Sequence, residues 1–188
     1  MSNTIAVRNP WTGAIDLQIE EPSAQWLNDE CTRLRNNHAG WAALSVAARV
    51  KALNQFGQAM LGHRDAIIAS LEEDTGRTRI AQIEFELLRR AVERTCSFAP
   101  ELVKESDELD TEQEQISAFQ QKVPYGLMLN IAPWNFPLLL SLLDVFPALA
   151  VGNAAIVKPS EVTPRWVEPV RKALQEVPQL EAVLSFAI

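Results

Sequence analysis

Two segments hold most of the groups able to do chemistry, PYGLMLNIAPWNFP at 124–137 and PALAVGNAAIVKPSEVTP at 147–164. The first presents the amide of Asn135 in a turn held by Pro133 and Pro137. Taken alone, an Asn before a Pro-started helix reads as a helix cap, because its side-chain oxygen accepts from free backbone N–H groups. The second presents Lys158 and Glu161, an ammonium donor and a carboxylate acceptor three residues apart. Read by themselves, they are a solvated strand-end lysine and an acid at the start of a helix, and Trp134 is a core residue. The two cysteines, Cys31 and Cys96, lie 65 residues apart with no CxxC and no neighbouring His, which excludes a zinc knuckle and a disulfide framework. Cys96 falls on an inward stripe and reads as a small core hydrophobe rather than a reactive thiol.

The elements that must position these groups follow from hydrophobic period and punctuation. Residues 5–7 and 14–19 read as two short strands around the Asn9-Pro10-Trp11-Thr12-Gly13 turn. Ser23 caps a helix running to about Gly40, with Trp26, Leu27 and Leu34 inward. A second helix carries Val46, Val50, Leu53, Phe56 and Met60, and a third carries Ile67, Ile68 and Leu71 up to Gly76. A fourth, with Ile80, Ile83, Leu87, Ala91 and Cys96 inward, ends at Pro100. Seven acids and one base in 101–114 describe a solvated connector, and 115–122 reads as a polar strand. Beyond it the pattern is strand, helix, strand, helix, strand: 125–131 as a buried parallel strand, a helix from about 135–137 to 150, then a strand at 154–157. A helix capped by Thr163 with Pro164 at its first position follows, carrying Trp166, Val170, Leu174 and Val177 inward, and 182–188 forms a third strand. This alternation predicts an α/β chain with half of a Rossmann-like parallel sheet. It divides as 1–122, a hairpin, helical block and connector, and 123–188, an incomplete βαβαβ half.

Seventeen Lys and Arg stand against 24 Asp and Glu, a formal charge of −7, so no basic stripe exists to displace phosphate counterions and no nucleic-acid partner is expected. Between Lys122 and Lys158 the only charged residue is Asp144, but Pro133, Pro137, Pro147 and Gly152-Asn153 cut this stretch into pieces too short to span a membrane. The N-terminus lacks an apolar signal region and an Arg/Ser-rich amphipathic segment, and the expectation is a cytoplasmic, reducing location.

Together, the Pro-Trp-Asn-Phe-Pro turn and the Lys-Pro-Ser-Glu turn, 23 residues apart from Asn135 to Lys158, resemble the aldehyde dehydrogenase family. The Asn-Pro-Trp-Thr-Gly turn, the helical block and Glu73-Asp74-Thr75-Gly76-Arg77 also resemble its N-terminal part, so the likeness extends over essentially the whole chain. The resemblance implies NAD(P)-dependent oxidation of an aldehyde to a carboxylic acid. It assigns Asn135 to the oxyanion hole, Lys158 and Glu161 to the adenosine ribose, and Ile131, Ala132, Pro133 and Trp134 to the wall of the cofactor path. Phe136, Leu139 and Leu140 become substrate-side positions. A carboxylate repels a 2′-phosphate, so Glu161 leans the cofactor towards NAD over NADP. No metal site is implied.

The family's nucleophilic cysteine, its deacylating glutamate and the turn beside the cofactor diphosphate lie downstream of the matching region. Cys31 and Cys96 do not match the nucleophile. The expectation is an N-terminal fragment that is inactive alone, binds cofactor weakly if at all, and leaves the third strand's edge open, giving a marginal, association-prone monomer. The alternatives are a non-catalytic subunit or interaction protein that co-assembles with a full-length homologue or with itself, and a module retaining only the adenosine site.

Overall fold

The computed structural model describes residues 3–104, 115–119 and 121–188. The chain opens with an antiparallel hairpin, β1 (Thr4–Arg8) and β2 (Ile15–Glu20), whose register shifts between Val7 and Arg8. Its turn is held by Asn9, which accepts the Trp11 N–H at 2.9 Å and donates to Asp16 at 2.8 Å. Four helices follow: α1 (Ala24–Ala42), α2 (Val46–Gly62), α3 (Arg64–Thr75) and α4 (Thr78–Leu102). Ser23 caps α1 through the Trp26 N–H and Ser45 caps α2 through the Ala48 N–H, each satisfying a donor the helix itself leaves free. Gly76, at φ 68°, closes α3 in the left-handed region where a Cβ would be strained.

The second part is a parallel sheet in the order β3-β4-β5: Leu127–Ile131, Ala154–Lys158 and Leu184–Phe186. Helices α5 (Pro137–Leu142) and α6 (Val145–Ala150) connect β3 to β4; α7 (Val167–Gln175) and α8 (Pro178–Glu181) connect β4 to β5. One buried cluster runs through both parts, from Leu34, Phe56 and Leu88 to Phe146, Val157, Trp166 and Phe186. Trp166 meets Phe186 edge-on at 5.7 Å, a geometry favoured by the ring quadrupoles. Polar ties cross the same seam: Trp41 donates to the Leu149 carbonyl, and buried Arg49 donates to the carbonyls of Ala42, Leu44 and Ala150. Among the described residues no helix is long and apolar enough to cross a membrane.

Several expected details differ. Leu34 is buried, but Trp26 and Leu27 are exposed: the buried residues of α1, Leu34 and Trp41, both lie in its later turns. On α4 the buried stripe is Ala81, Phe85, Leu88, Val92, Cys96 and Ala99; Ile83 and Leu87 face outward. Pro100 lies within the last turns of α4 instead of ending it, since one missing N–H near a frayed end is tolerated. The helix expected over 135–150 breaks in two at Leu143–Asp144. Pro147 would clash with the Leu143 carbonyl in a continuous helix, and α6 restarts so that Pro147 falls in its first turn. Strand β3 is half exposed rather than buried, with Leu129 at 58% and Ile131 at 70%, because it forms an edge of the sheet. By contrast Leu184, Phe186 and Ala187 are buried although β5 forms the other edge of the sheet, so the exposed apolar side chains lie on β3. Among the described residues 115–122 forms no extended strand beyond an isolated bridge at Ala118, and connector residues 105–114 lie outside the described residues.

Candidate functional site

Strands β3 and β4 run parallel in register, pairing Ile131 with Lys158, so both chemical segments leave the sheet at the same end. The pairing continues one residue further, with the Ala132 N–H donating to the Lys158 carbonyl at 3.0 Å. Thr163 then ties the two loops: its hydroxyl donates to the Trp134 carbonyl at 3.3 Å. Thr163 does not act as the expected cap. The helix starts later, at Val167 behind Trp166, with no side-chain cap, and Pro164 stands outside it.

At this end of the sheet Lys158 and Glu161 meet in a direct ion pair, both half exposed. The Lys158 ammonium, with a backbone N–H of Glu161 itself, holds the Glu161 carboxyl below the ordinary glutamate value. Glu161 sits in a turn after β4 and not at the start of a helix. Ile131 at 70% and Trp134 at 59% are exposed side chains flanking buried Ala132, so Trp134 is no core residue. Pro133 is also exposed.

Asn135 is exposed, and its side chain makes no hydrogen bond among the described residues. The first turn of α5 is capped by Glu84 of α4 instead, whose Oε1 accepts the N–H groups of Leu138 at 2.8 Å and Leu139 at 2.9 Å. Glu84 is 1% exposed; burial pushes its carboxyl upward, while the two N–H groups and nearby Arg77 pull it back. Arg77 donates to the Asn135 carbonyl and stacks its guanidinium over Phe136, 5.5 Å from the ring centre. Asn135 is thus held by its backbone, and its amide is left free for another partner. Sequence reasoning missed both clamps. The signal for Glu84 was present: it is an acid at the spacing of Ala81, Phe85 and Leu88, the buried stripe of α4.

The loop leading to α7 is anchored by Arg165. Its backbone N–H donates to Asp74 at 2.7 Å, and its guanidinium pairs with Asp74 and Asp16. Burial pushes Asp74 up to about 6, against the pull of Arg165. Of the expected substrate-side residues, Leu139 lines a cleft of about 280 Å3 with Leu87, Arg90, Ala91, Arg94 and Leu143, whereas Leu140 is absent from its lining. Larger clefts, about 690 Å3 along α2 and about 490 Å3 between Val103 and Tyr125, lie away from these groups. Cys96 is buried, donates weakly to the Val50 carbonyl, and burial pushes its thiol upward; Cys31 packs against the core from α1. Among the described residues no cluster of His, Cys, Asp and Glu could hold a metal.

A family model described as the aldehyde dehydrogenase family matches residues 1–185. The vanillin dehydrogenase of Corynebacterium glutamicum is 29% identical over 157 residues, covering 83% of this chain and 32% of that protein. An N-succinylglutamate 5-semialdehyde dehydrogenase of Burkholderia cenocepacia is 26% identical over 180 residues, 96% of this chain and 37% of that protein. The chain therefore spans about a third of the length of the curated relatives it matches. Among solved structures, PutA of Anabaena variabilis is 42% identical with a TM-score of 0.96, covering 98% of this chain and 39% of that one. A betaine aldehyde dehydrogenase of Staphylococcus aureus, in complex with NAD+, shares the fold at a TM-score of 0.90 and 22% identity, over 99% of this chain and 37% of that one.

Proposed function

Since this chain belongs to the aldehyde dehydrogenase family, we propose that it carries the adenosine side of an NAD(P) site and the oxyanion donor for oxidation of an aldehyde to a carboxylic acid. The observation that supports this reading is the meeting of the 132–136 and 159–166 loops at the same end of two adjacent parallel strands. Ligands of open α/β sheets bind in the crevice outside the carboxyl ends of the strands.

The residues fit a nicotinamide dinucleotide in chemical type. Lys158 has donors for ribose hydroxyls, and Glu161, kept ionised by that lysine, has acceptor oxygens. To engage a diol the two side chains exchange part of their mutual ion pair for it. Both are half exposed, so little burial opposes the exchange. Ile131, Ala132, Pro133 and Trp134 form the wall alongside, with Trp134 offering a flat exposed face. The bound cofactor supplies the hydride acceptor. Asn135 donates an amide N–H to the carbonyl oxygen as negative charge builds on it; losing one such donor typically costs about 2.7–4 kcal/mol of transition-state stabilisation. The ionised Glu161 favours NAD over NADP by repelling a 2′-phosphate.

By itself the chain does not oxidise aldehydes. The reaction needs a thiolate beside the oxyanion donor; Cys96 is buried with its thiol pushed upward, and Cys31 lies on α1, outside the cleft that Leu139 lines. The relatives are named for different aldehydes, so kinship leaves the aldehyde open. Titration with adenosine monophosphate, followed by amide shifts at 131–134 and 158–161, tests the cofactor site. The expected result is weak saturable binding that Lys158→Ala abolishes, and weaker binding of the 2′-phosphorylated nucleotide. Binding unchanged in Lys158→Ala refutes the assignment. An aldehyde-dependent NADH absorbance assay is expected to read zero; activity lost in Asn135→Ala would refute the inactivity.

One feature favours a second reading, a subunit that co-assembles with a full-length homologue or a second copy: Leu129 and Ile131 on β3, and Val123 and Tyr125 just before it, expose apolar side chains. Sedimentation velocity with and without such a homologue checks it, and a concentration-independent monomer in both would refute it.

A further inference from the structure

The cleft between α4 and α5 carries two cations that no neighbouring acid among the described residues pairs with. Leu87, Ala91, Leu139 and Leu143 form an apolar surface, and Arg90 and Arg94 stand beside it one helical turn apart. Both arginines are exposed, and neither makes an ion pair or a side-chain hydrogen bond among the described residues. Their neighbour Arg89 differs: it is held by Glu86 at 2.9 Å and Glu93 at 2.5 Å. Asp144 lines the adjoining cleft with Arg94 but forms no ion pair with it. In a chain of formal charge −7, two like charges at i and i+4 therefore face one small cleft whose lining, among the described residues, holds no acid, an arrangement that disfavours the helix until an anion joins it.

Leu139, which lines this cleft, is four residues beyond Asn135, in the helical turn that Glu84 of α4 fixes through the Leu138 and Leu139 N–H groups. The same two helices thus hold the oxyanion donor and the paired cations. Guanidinium groups present parallel N–H donors matched to carboxylate or phosphate oxygens. We propose, resting on the functional reading above, that the aldehyde is anionic. Its carbonyl faces Asn135, a short apolar spacer lies on Leu87, Ala91, Leu139 and Leu143, and a carboxylate or phosphate tail is bound by Arg90 and Arg94. A volume of about 280 Å3 suits one ring or a short carbon chain as spacer.

Amide-shift titration of the chain, with no cofactor present, tests this with three probes: 4-formylbenzoate, 4-methylbenzaldehyde and 4-formylphenyl phosphate. The expected result is that 4-formylbenzoate binds at least about fivefold more tightly than the neutral aldehyde. Its shifts should include residues 90–94, Leu139 and Asn135, and the advantage should disappear in the Arg90→Gln/Arg94→Gln double variant with unchanged far-ultraviolet circular dichroism. Tighter binding of the phosphate probe than of the carboxylate assigns a phosphate tail; the reverse order assigns a carboxylate. Equal affinity for charged and neutral aldehydes, an advantage that survives in the double variant, or anion binding that leaves Asn135 unshifted would each overturn the proposal. Failure of the adenosine site registers only in the nucleotide titration, so the two readings fail separately.

Discussion

Replacing Glu84 by Ala removes the carboxylate that caps α5 from another helix. Two N–H groups, of Leu138 and Leu139, then lose their acceptor, and the Leu138 residue is fully buried, so water cannot readily replace it. Leaving a buried donor unpaired costs about 1–3 kcal/mol each. Relief from holding a carboxylate at 1% exposure returns part of that, which gives a net loss of about 2–4 kcal/mol. Glu84→Gln retains an acceptor oxygen of nearly the same shape and loses only the charge, for about 1 kcal/mol. Urea denaturation followed by circular dichroism measures both. The pH dependence supplies a second check. Burial raises Glu84 above its ordinary 4.5, so the native state binds the proton more tightly than the unfolded state. Its contribution is fully present below 4.5 and is lost as pH rises through the raised value. The Gln variant has no such group, so its deficit should shrink from acid towards neutral pH. Equal losses in Ala and Gln would refute the capping role, and a Gln deficit that grows with pH would refute the upward shift.

Asp74 follows the same sign more strongly: raised from 3.8 to about 6, it contributes stability below 3.8 that fades as pH climbs through 6. The deficit of Asp74→Asn should therefore fall by about 2 kcal/mol between about pH 4 and pH 7, and a flat difference in urea melts would contradict it. Thiol labelling with an aromatic disulfide should modify Cys31 well before Cys96, because Cys96 is buried and its thiol is pushed upward; equal rates in native buffer would place Cys96 at the surface. Thr163→Val should loosen the tie between the 132–136 and 159–166 loops and weaken adenosine monophosphate binding severalfold with a stability loss of about 1 kcal/mol, whereas unchanged affinity would make the Trp134 contact incidental.

Local signals in the chain were sufficient for much of this architecture. The Asn9–Gly13 turn, the Ser23 cap, the Gly76 stop and the inward stripe Trp166, Val170, Leu174 and Val177 are all set within a few residues by dihedral preference or helical period. Alternating apolar strands and helices sufficed for a parallel sheet, and the two turns with Asn135 and Lys158-Glu161 fall at the same end of it. Periodicity misjudged the face of α4, because both of its apolar stripes repeat at helical spacing and only the neighbours α2, α3, α5 and α6 select which is covered. It misjudged the burial of β3 for a related reason: apolarity does not distinguish a central strand from an edge.

What the sequence determined by itself is therefore the set of elements, their order, and the residue types at the ends of β3 and β4. Tertiary structure alone decided who holds them. Glu84 caps a helix 54 residues away, Arg165 reaches Asp74 across 91, and Thr163 ties down Trp134 across 29. Such contacts depend on the relative placement of packed helices and strands. A buried charge is tolerated only where that packing supplies its partners, and no local pattern encodes them.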